Sequence, residues 1–369
     1  MQEIKIPLDW PNLGELEKDY VLKALESGYV SSAGPLVREF EQRFAAYLGI
    51  SQAVAVVNGT AGLHLALKLL GIGPGDEVIV PALTFIATVN PVVYAGARPV
   101  VVDVDPWTWN IDPAAIEKAI TKHTRAIIPV HLYGNPADMD AILGLARKYG
   151  LYVLEDATEA LGSTYKGKKA GTFGQISVFS FNGNKIITTG GGGMLVTANP
   201  DLARRARLLV NQGREPGETE YEHKEIGFNY RLTNLQAALG LAQLERLPEF
   251  LATKRRHAAI YRRELQGLPG LSWQEELPGA ESNWWLFSIV LDEGKFKANK
   301  PVLIQWLKSR GIQARPLFKP VSQQPCYRGS NFPPCAIAAQ LHQNGINLPS
   351  ASFLTEEDIM AVCAVLKSY

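Results

Sequence analysis

From residue 53 onward, short β-branched runs alternate with longer stretches whose apolar positions fall three and four apart. This is the pattern of buried strands separated by amphipathic helices. Strands are expected at residues 53–57, 77–80, 99–104, 126–130, 152–155, 176–181 and 194–197. Helices are expected between several of them, at 61–70, 86–94, 113–120 and 139–149. Strands apolar on both faces, joined through helices, predict a largely parallel sheet covered on each side. Ligands in such sheets lie beyond the carboxyl ends of the strands. Ahead of this rhythm, an irregular segment carries one helix at about 13–27 and another with Val37, Phe40, Phe44 and Leu48 at core spacing. Past Leu247-Pro248 the pattern changes to a long helix through Arg262, a strand around 285–291 and helices at 301–310 and 356–367. The expected division is a large domain over residues 1–247 and a smaller α/β domain over 248–369.

Composition removes some classes of function. With 37 basic and 36 acidic residues the formal charge is +1, so no electrostatic footprint for nucleic acid or an acidic membrane exists. Three cysteines, Cys326, Cys335 and Cys363, are an odd number without C-x-x-C spacing, against both a disulfide framework and a zinc site. The first residues contain no apolar core of a signal peptide, and no apolar run reaches the roughly 20 residues of a membrane span. A soluble, cytoplasmic protein is expected.

Chemistry concentrates around Lys185. The apolar run Ile176-Ser177-Val178-Phe179-Ser180-Phe181 enters the polar turn Asn182-Gly183-Asn184, Lys185 follows, and a second apolar run leaves through Gly190 to Gly193. Four glycines would weaken a strand without structural return unless something lies close against them. After the first strand, Asn58-Gly59-Thr60 opens a helix, whose free N–H groups and positive dipole end form an anion site or an ordinary cap. Asp156 stands at the carboxyl edge of the sheet, where it either caps a helix or holds a ring nitrogen protonated. Gly71-x-Gly73-x-Gly75 follows a helix and precedes a strand, the reverse of a dinucleotide fingerprint, and reads as a turn. His131 also follows a strand, but without cysteine or carboxylate partners in sequence it reads as a packed histidine; no metal is expected.

Ser180-Phe181, three residues, Lys185 and a glycine cluster together resemble the cofactor-lysine segment of the DegT/DnrJ/EryC1/StrS family. These are nucleotide-sugar aminotransferases that use pyridoxal 5′-phosphate. Asn182-Gly183-Asn184-Lys185-Ile186-Ile187-Thr188-Thr189 is most similar to the branch acting on UDP-4-keto-6-deoxy-N-acetylhexosamines. The resemblance implies the fold type I aminotransferase architecture, α/β with a large cofactor domain and a smaller C-terminal one. It implies that Lys185 holds the cofactor covalently, Asp156 pairs with the pyridine nitrogen, Phe85 stacks on the ring, and Gly59, Thr60 and Ser180 bind the phosphate. Glu159 stands where many members have glutamine and would contact the 3-hydroxyl. Asn229, in Gly227-Phe228-Asn229-Tyr230-Arg231, would reach the phosphate of a neighbouring subunit in a homodimer with shared active sites. Arg315 and Lys319 would bind substrate, although Ser322 replaces a histidine common in the family. Glutamate is the implied amino donor and a nucleotide-linked 4-keto sugar the acceptor. Related readings are a GDP-perosamine or dTDP-amino-sugar transaminase. A different class is a non-catalytic regulator that senses the cofactor, which retention of Asp156, Ser180 and Lys185 disfavours. Lys185 also argues against the family's dehydratases, which carry histidine there.

Overall fold

A computed structural model describes residues 4–215, 219–292 and 294–369. In chain order the elements begin with α1 (Glu15–Glu26), α2 (Pro35–Leu48), β1 (Gln52–Val56), α3 (Gly59–Leu69), β2 (Glu77–Pro81), α4 (Asn90–Tyr94) and β3 (Arg98–Val102). Next come α5 (Pro113–Ala119), β4 (Thr124–Ile127), α6 (Met139–Tyr149), β5 (Tyr152–Asp156), the short β6 (Thr164–Tyr165) and β7 (Lys168–Lys169), β8 (Ile176–Ser180) and β9 (Gly193–Thr197). The C-terminal part continues with α7 (Pro200–Val210), α8 (Asn234–Leu265), β10 (Leu271–Trp273), β11 (Ala280–Glu281), β12 (Phe287–Leu291) and α9 (Lys300–Lys308). It closes with β13 (Arg315–Pro316), α10 (Ala336–Asn344), β14 (Gly345–Leu348) and α11 (Glu356–Lys367).

The central sheet has the order β1-β9-β8-β5-β4-β2-β3. It is parallel from β8 through β3, while β9 runs antiparallel to both β1 and β8. Alternate side chains serve opposite faces. Val78, Val80, Leu154 and Val178 belong to one apolar cluster, whereas Ile79, Val153 and Phe179 join clusters on the other side. Both faces are therefore dry, which is why the strands read as continuous apolar runs.

One local expectation is corrected. Residues 86–94 form not one helix but a 3₁₀ turn, Ile86–Thr88, followed by α4. Pro91 has no N–H and its ring would clash with the preceding turn, so it is tolerated only in the first turn of α4. The boundary expected at 247/248 falls inside α8, a helix started by a Thr233–Gln236 capping box and carrying Pro248 within it. Beyond α8, a four-stranded antiparallel sheet of order β10-β12-β14-β13 packs on α9 and α11 around Tyr261, Phe287, Ile289, Leu303 and Ile359.

The N-terminal arm is fastened to this C-terminal unit. Ile6 forms a parallel bridge with Ile312, and the Gln313 amide donates to the Ile6 carbonyl at 2.9 Å. The Ser350 amide donates to the carbonyl of the fully buried Leu8 at 2.7 Å.

Candidate active site

Strand polarity gathers the site. The carboxyl ends of β1, β2, β4, β5 and β8 lie on one edge of the sheet, and β9, running the other way, starts there. A cavity of about 310 Å³ opens along this edge, lined by Asn58, Gly59, Thr60, Phe85, Thr88, Asp156, Thr158, Glu159, Ser180, Asn184, Lys185, Gly192, Trp285, Arg315 and Phe318 among others. Of the residues singled out in the sequence, eight are thereby brought together: Gly59, Thr60, Phe85, Asp156, Glu159, Ser180, Lys185 and Arg315.

The anion-binding end is the N-terminus of α3. The Asn58 side chain accepts only the Ala61 amide, at 2.8 Å, and the first amides of a helix have no partner within it. Gly59 and Thr60 therefore present N–H groups at the positive end of the helix dipole. The glycines expected to face a close neighbour do so at Gly193, and the neighbour is the chain itself. A Cβ there would lie 2.7 Å from the Phe179 carbonyl oxygen and 2.9 Å from the Gly59 nitrogen. A Cβ on Gly59 would meet Ser180 and Thr158 at 3.1 Å, so β1, β8 and β9 converge here without room for a methyl group.

Asp156 is 2% exposed, and both of its carboxylate oxygens accept hydrogen bonds. Its Oδ2 accepts from the Thr88 hydroxyl at 2.7 Å, and its Oδ1 accepts from the Thr158 hydroxyl at 2.7 Å and the Thr158 amide at 3.2 Å. One residue earlier, Glu155 points to the other face of the sheet. There it accepts from the amides of Gly171, Phe173 and Gly174 and from the Ser177 hydroxyl. Burial raises its pKa, but His131 and the amides outweigh burial and hold the carboxyl below its usual range. His131 Nδ1 accepts the Ala137 amide at 3.0 Å, so Nε2 donates to Glu155 at 3.1 Å. The carboxylate partner that the sequence did not reveal thus belongs to a buried structural pair. Among the described residues no His, Cys, Asp and Glu group could hold a metal.

Lys185 stands on the turn after β8, its amide donating to the Asn182 carbonyl at 3.0 Å. Its side chain is 12% exposed, with Nζ 3.5 Å from Glu159 Oε1 and 3.8 Å from the centroid of the Trp285 ring. Glu159 also accepts the Tyr133 amide at 2.7 Å through Oε2. Burial raises the Glu159 pKa, and the Lys185 charge works against that rise. Phe85 is exposed, its ring 5.6 Å from Phe318. Arg315 donates from Nη2 to Asp9 Oδ1 at 3.0 Å.

Two expected site residues lie elsewhere on the chain. Lys319 is exposed and does not line the cavity, and Asn229 is exposed on a bridge to Asn211 beside α7. Conversely, Thr88, Thr158, Trp285 and Asp9 carried no motif that could have announced them. A larger open groove of about 750 Å³ is lined by Arg38, Glu41, Arg207 and Arg231. Its Arg207 is paired with Glu41 at 2.6 Å, and it contains none of the chemistry above.

The sequence profile of the DegT/DnrJ/EryC1/StrS aminotransferase family matches residues 11–367. A GDP-perosamine synthase from Caulobacter vibrioides is 47% identical over 363 residues, covering 98% of this chain and 97% of the relative. The aminotransferase TlmJ from Streptoalloteichus hindustanus superimposes with a TM-score of 0.93 at 32% identity, over 98% of both chains. The PLP form of Spr1654 from Streptococcus pneumoniae does so at 0.91 and 29% identity, again over 98% of both. With the site assembled at the sheet edge and the profile covering nearly its whole length, this chain belongs to the DegT/DnrJ/EryC1/StrS aminotransferase family and is a pyridoxal-phosphate-dependent sugar aminotransferase.

Proposed function

We propose that this enzyme transfers the amino group of glutamate to the C4 ketone of a nucleotide-linked 4-keto-6-deoxy sugar, with Lys185 carrying the cofactor. The observation that carries this reading is the meeting of Lys185, Asp156 and the α3 N-terminus around one cavity of about 310 Å³. The residues fit pyridoxal phosphate chemically. A dianionic phosphate suits the free amides of Gly59 and Thr60 and the Ser180 hydroxyl, and the Gly59 and Gly193 contacts keep side chains out of that corner. Phe85 supplies an aromatic face, and Asp156 a carboxylate for a protonated ring nitrogen. Pyridoxal phosphate supplies the electron sink that stabilises charge at the donor Cα. Asp156, held by two threonine hydroxyls, keeps that sink protonated. The Lys185 amine, when free, takes the proton from the donor Cα; Glu159 and Trp285 hold its Nζ in place.

For the acceptor, similarity to a GDP-perosamine synthase supports a GDP-linked sugar. The stretch from Asn182 to Thr189, with Glu159, supports a UDP-linked N-acetylhexosamine as the second reading. A second copy of the chain would complete the site. Asn229 is exposed outside its own cavity, and Leu22, Leu25, Tyr29 and Val30 stay exposed on the same chain. The test is an assay of glutamate with GDP-, UDP- and dTDP-linked 4-keto-6-deoxy sugars. Preference for GDP supports the first reading and preference for UDP the second, while no transamination of any of them overturns both.

A further inference from the structure

Asp9 lies 306 positions from Arg315 and 175 from Asn184 in sequence, yet its carboxylate joins them. Oδ1 accepts from Arg315 Nη2 at 3.0 Å and Oδ2 from Asn184 Nδ2 at 2.9 Å. The side chain is 5% exposed, and the arm that bears it is pinned. The neighbouring Leu8 is fully buried, its amide donates to Gln313 Oε1 at 2.9 Å, and its carbonyl accepts the Ser350 amide. Asp9 is therefore a fixed point. Arg315 is a long side chain, 46% exposed, that lines the same cavity as Lys185.

We propose that Asp9 is a positioning residue that holds Arg315 ready for the α-carboxylate of the amino donor. This rests on the reading of the site as a glutamate-dependent transaminase. A guanidinium offers five N–H donors. Asp9 engages Nη2, and no other Arg315 partner exists among the described residues, so the remaining donors are available to an anion. That anion is identified by distance along bonds. The α-carboxylate is attached directly to the carbon that reacts at Lys185, whereas the diphosphate of a sugar nucleotide is separated from C4 by the sugar ring. A donor reacting at Lys185 has its α-carboxylate inside the cavity that Arg315 also lines. An arginine free in solvent loses much rotamer freedom when it closes on a ligand. A guanidinium already held by a fixed carboxylate loses less, which strengthens donor binding without touching the acceptor sugar. The second Asp9 contact, to Asn184, ties this anchor to the residue preceding Lys185.

The experiment follows the donor half-reaction of the holoenzyme with glutamate by absorbance, in wild type, Asp9→Asn, Arg315→Gln and the double variant. Asparagine keeps the size of Asp9 and one acceptor but loses the charge. Asp9→Asn is expected to raise the glutamate KM about tenfold, the scale of one charged hydrogen bond, with kcat changed less than about threefold. Arg315→Gln raises KM at least as much, and the double variant behaves as Arg315→Gln alone, because Asp9 acts through Arg315. In Asp9→Asn the acceptor half-reaction stays within about twofold of wild type, since the acceptor sugar does not use this contact. Calorimetric binding of glutarate, which cannot react, weakens in Asp9→Asn by the same factor as KM. An unchanged or lowered KM in Asp9→Asn, additive losses in the double variant, or equal losses in both half-reactions overturns the inference. Arg315→Gln with an unchanged glutamate KM would instead remove Arg315 from donor binding, and with it the reading on which Asp9 depends.

Discussion

The Trp285 indole nitrogen donates to the Asn184 carbonyl at 2.7 Å, and the same ring lies 3.8 Å from Lys185 Nζ. One side chain thus fixes both the backbone of the catalytic turn and the amine it carries. Trp285→Phe keeps an aromatic face but removes the donor. It should cost about 1 kcal/mol of stability through that hydrogen bond and displace Lys185. Denaturant unfolding measures the first effect, and the rate of cofactor attachment to the apoprotein measures the second. Wild-type behaviour in both would exclude this role.

Lys185→Ala should retain cofactor noncovalently and lose transamination by a factor on the order of 10³, the range for removal of a general base. Borohydride reduction of wild type followed by mass spectrometry should place the cofactor on Lys185. Labelling of any other residue would refute the assignment.

Asp156→Asn should slow the donor half-reaction by at least about a hundredfold, because an amide offers no charge to a protonated ring nitrogen. Cofactor affinity should change much less, since the phosphate contacts remain. A single-turnover rate equal to wild type would release Asp156 from this role.

Lys254 is buried, donating to the carbonyls of Trp285 at 3.0 Å and Ser350 at 2.6 Å, and burial pushes its pKa from 10.5 down to about 7. The unfolded chain binds this proton up to pH 10.5 and the folded chain only up to about 7, so stability from this group rises between those values. Below about pH 7 its penalty is present in full. Neighbouring His257, pushed by burial and then by Lys254 from 6.5 down to about 4, acts with the same sign between those lower values. Thermal unfolding should show wild type gaining on Lys254→Met as pH rises from 7 to 10. A constant difference across that range would mean Lys254 is not protonated differently in the two states.

Asn229→Asp should abolish activity if that residue faces a neighbouring subunit's phosphate, by placing like charges together. Lys185→Ala and Asn229→Asp refolded together would then form mixed dimers with both lesions in one site and none in the other. Partial recovery of activity is expected. No recovery in a mixture shown to contain mixed dimers would place Asn229 outside a shared site.

Periodicity and local chemistry determined much of this protein. Alternating apolar runs announced the seven strands of the central sheet, because strands covered on both faces carry mostly apolar side chains. The turn before Lys185, the Asn58 cap and Asp156 at a strand end were legible because each is a local motif whose neighbours in sequence are its neighbours in space. Tertiary structure alone decided the rest. The reversed β9 brings Gly193 against Gly59, a pairing set by strand order, which no single segment encodes. His131 meets Glu155 across 24 residues, and Trp285 reaches Asn184 across 101. Asp9 meets Arg315 only because the N-terminal arm lies along the C-terminal sheet, and nothing in nine residues of polar and apolar alternation specifies where that arm will dock.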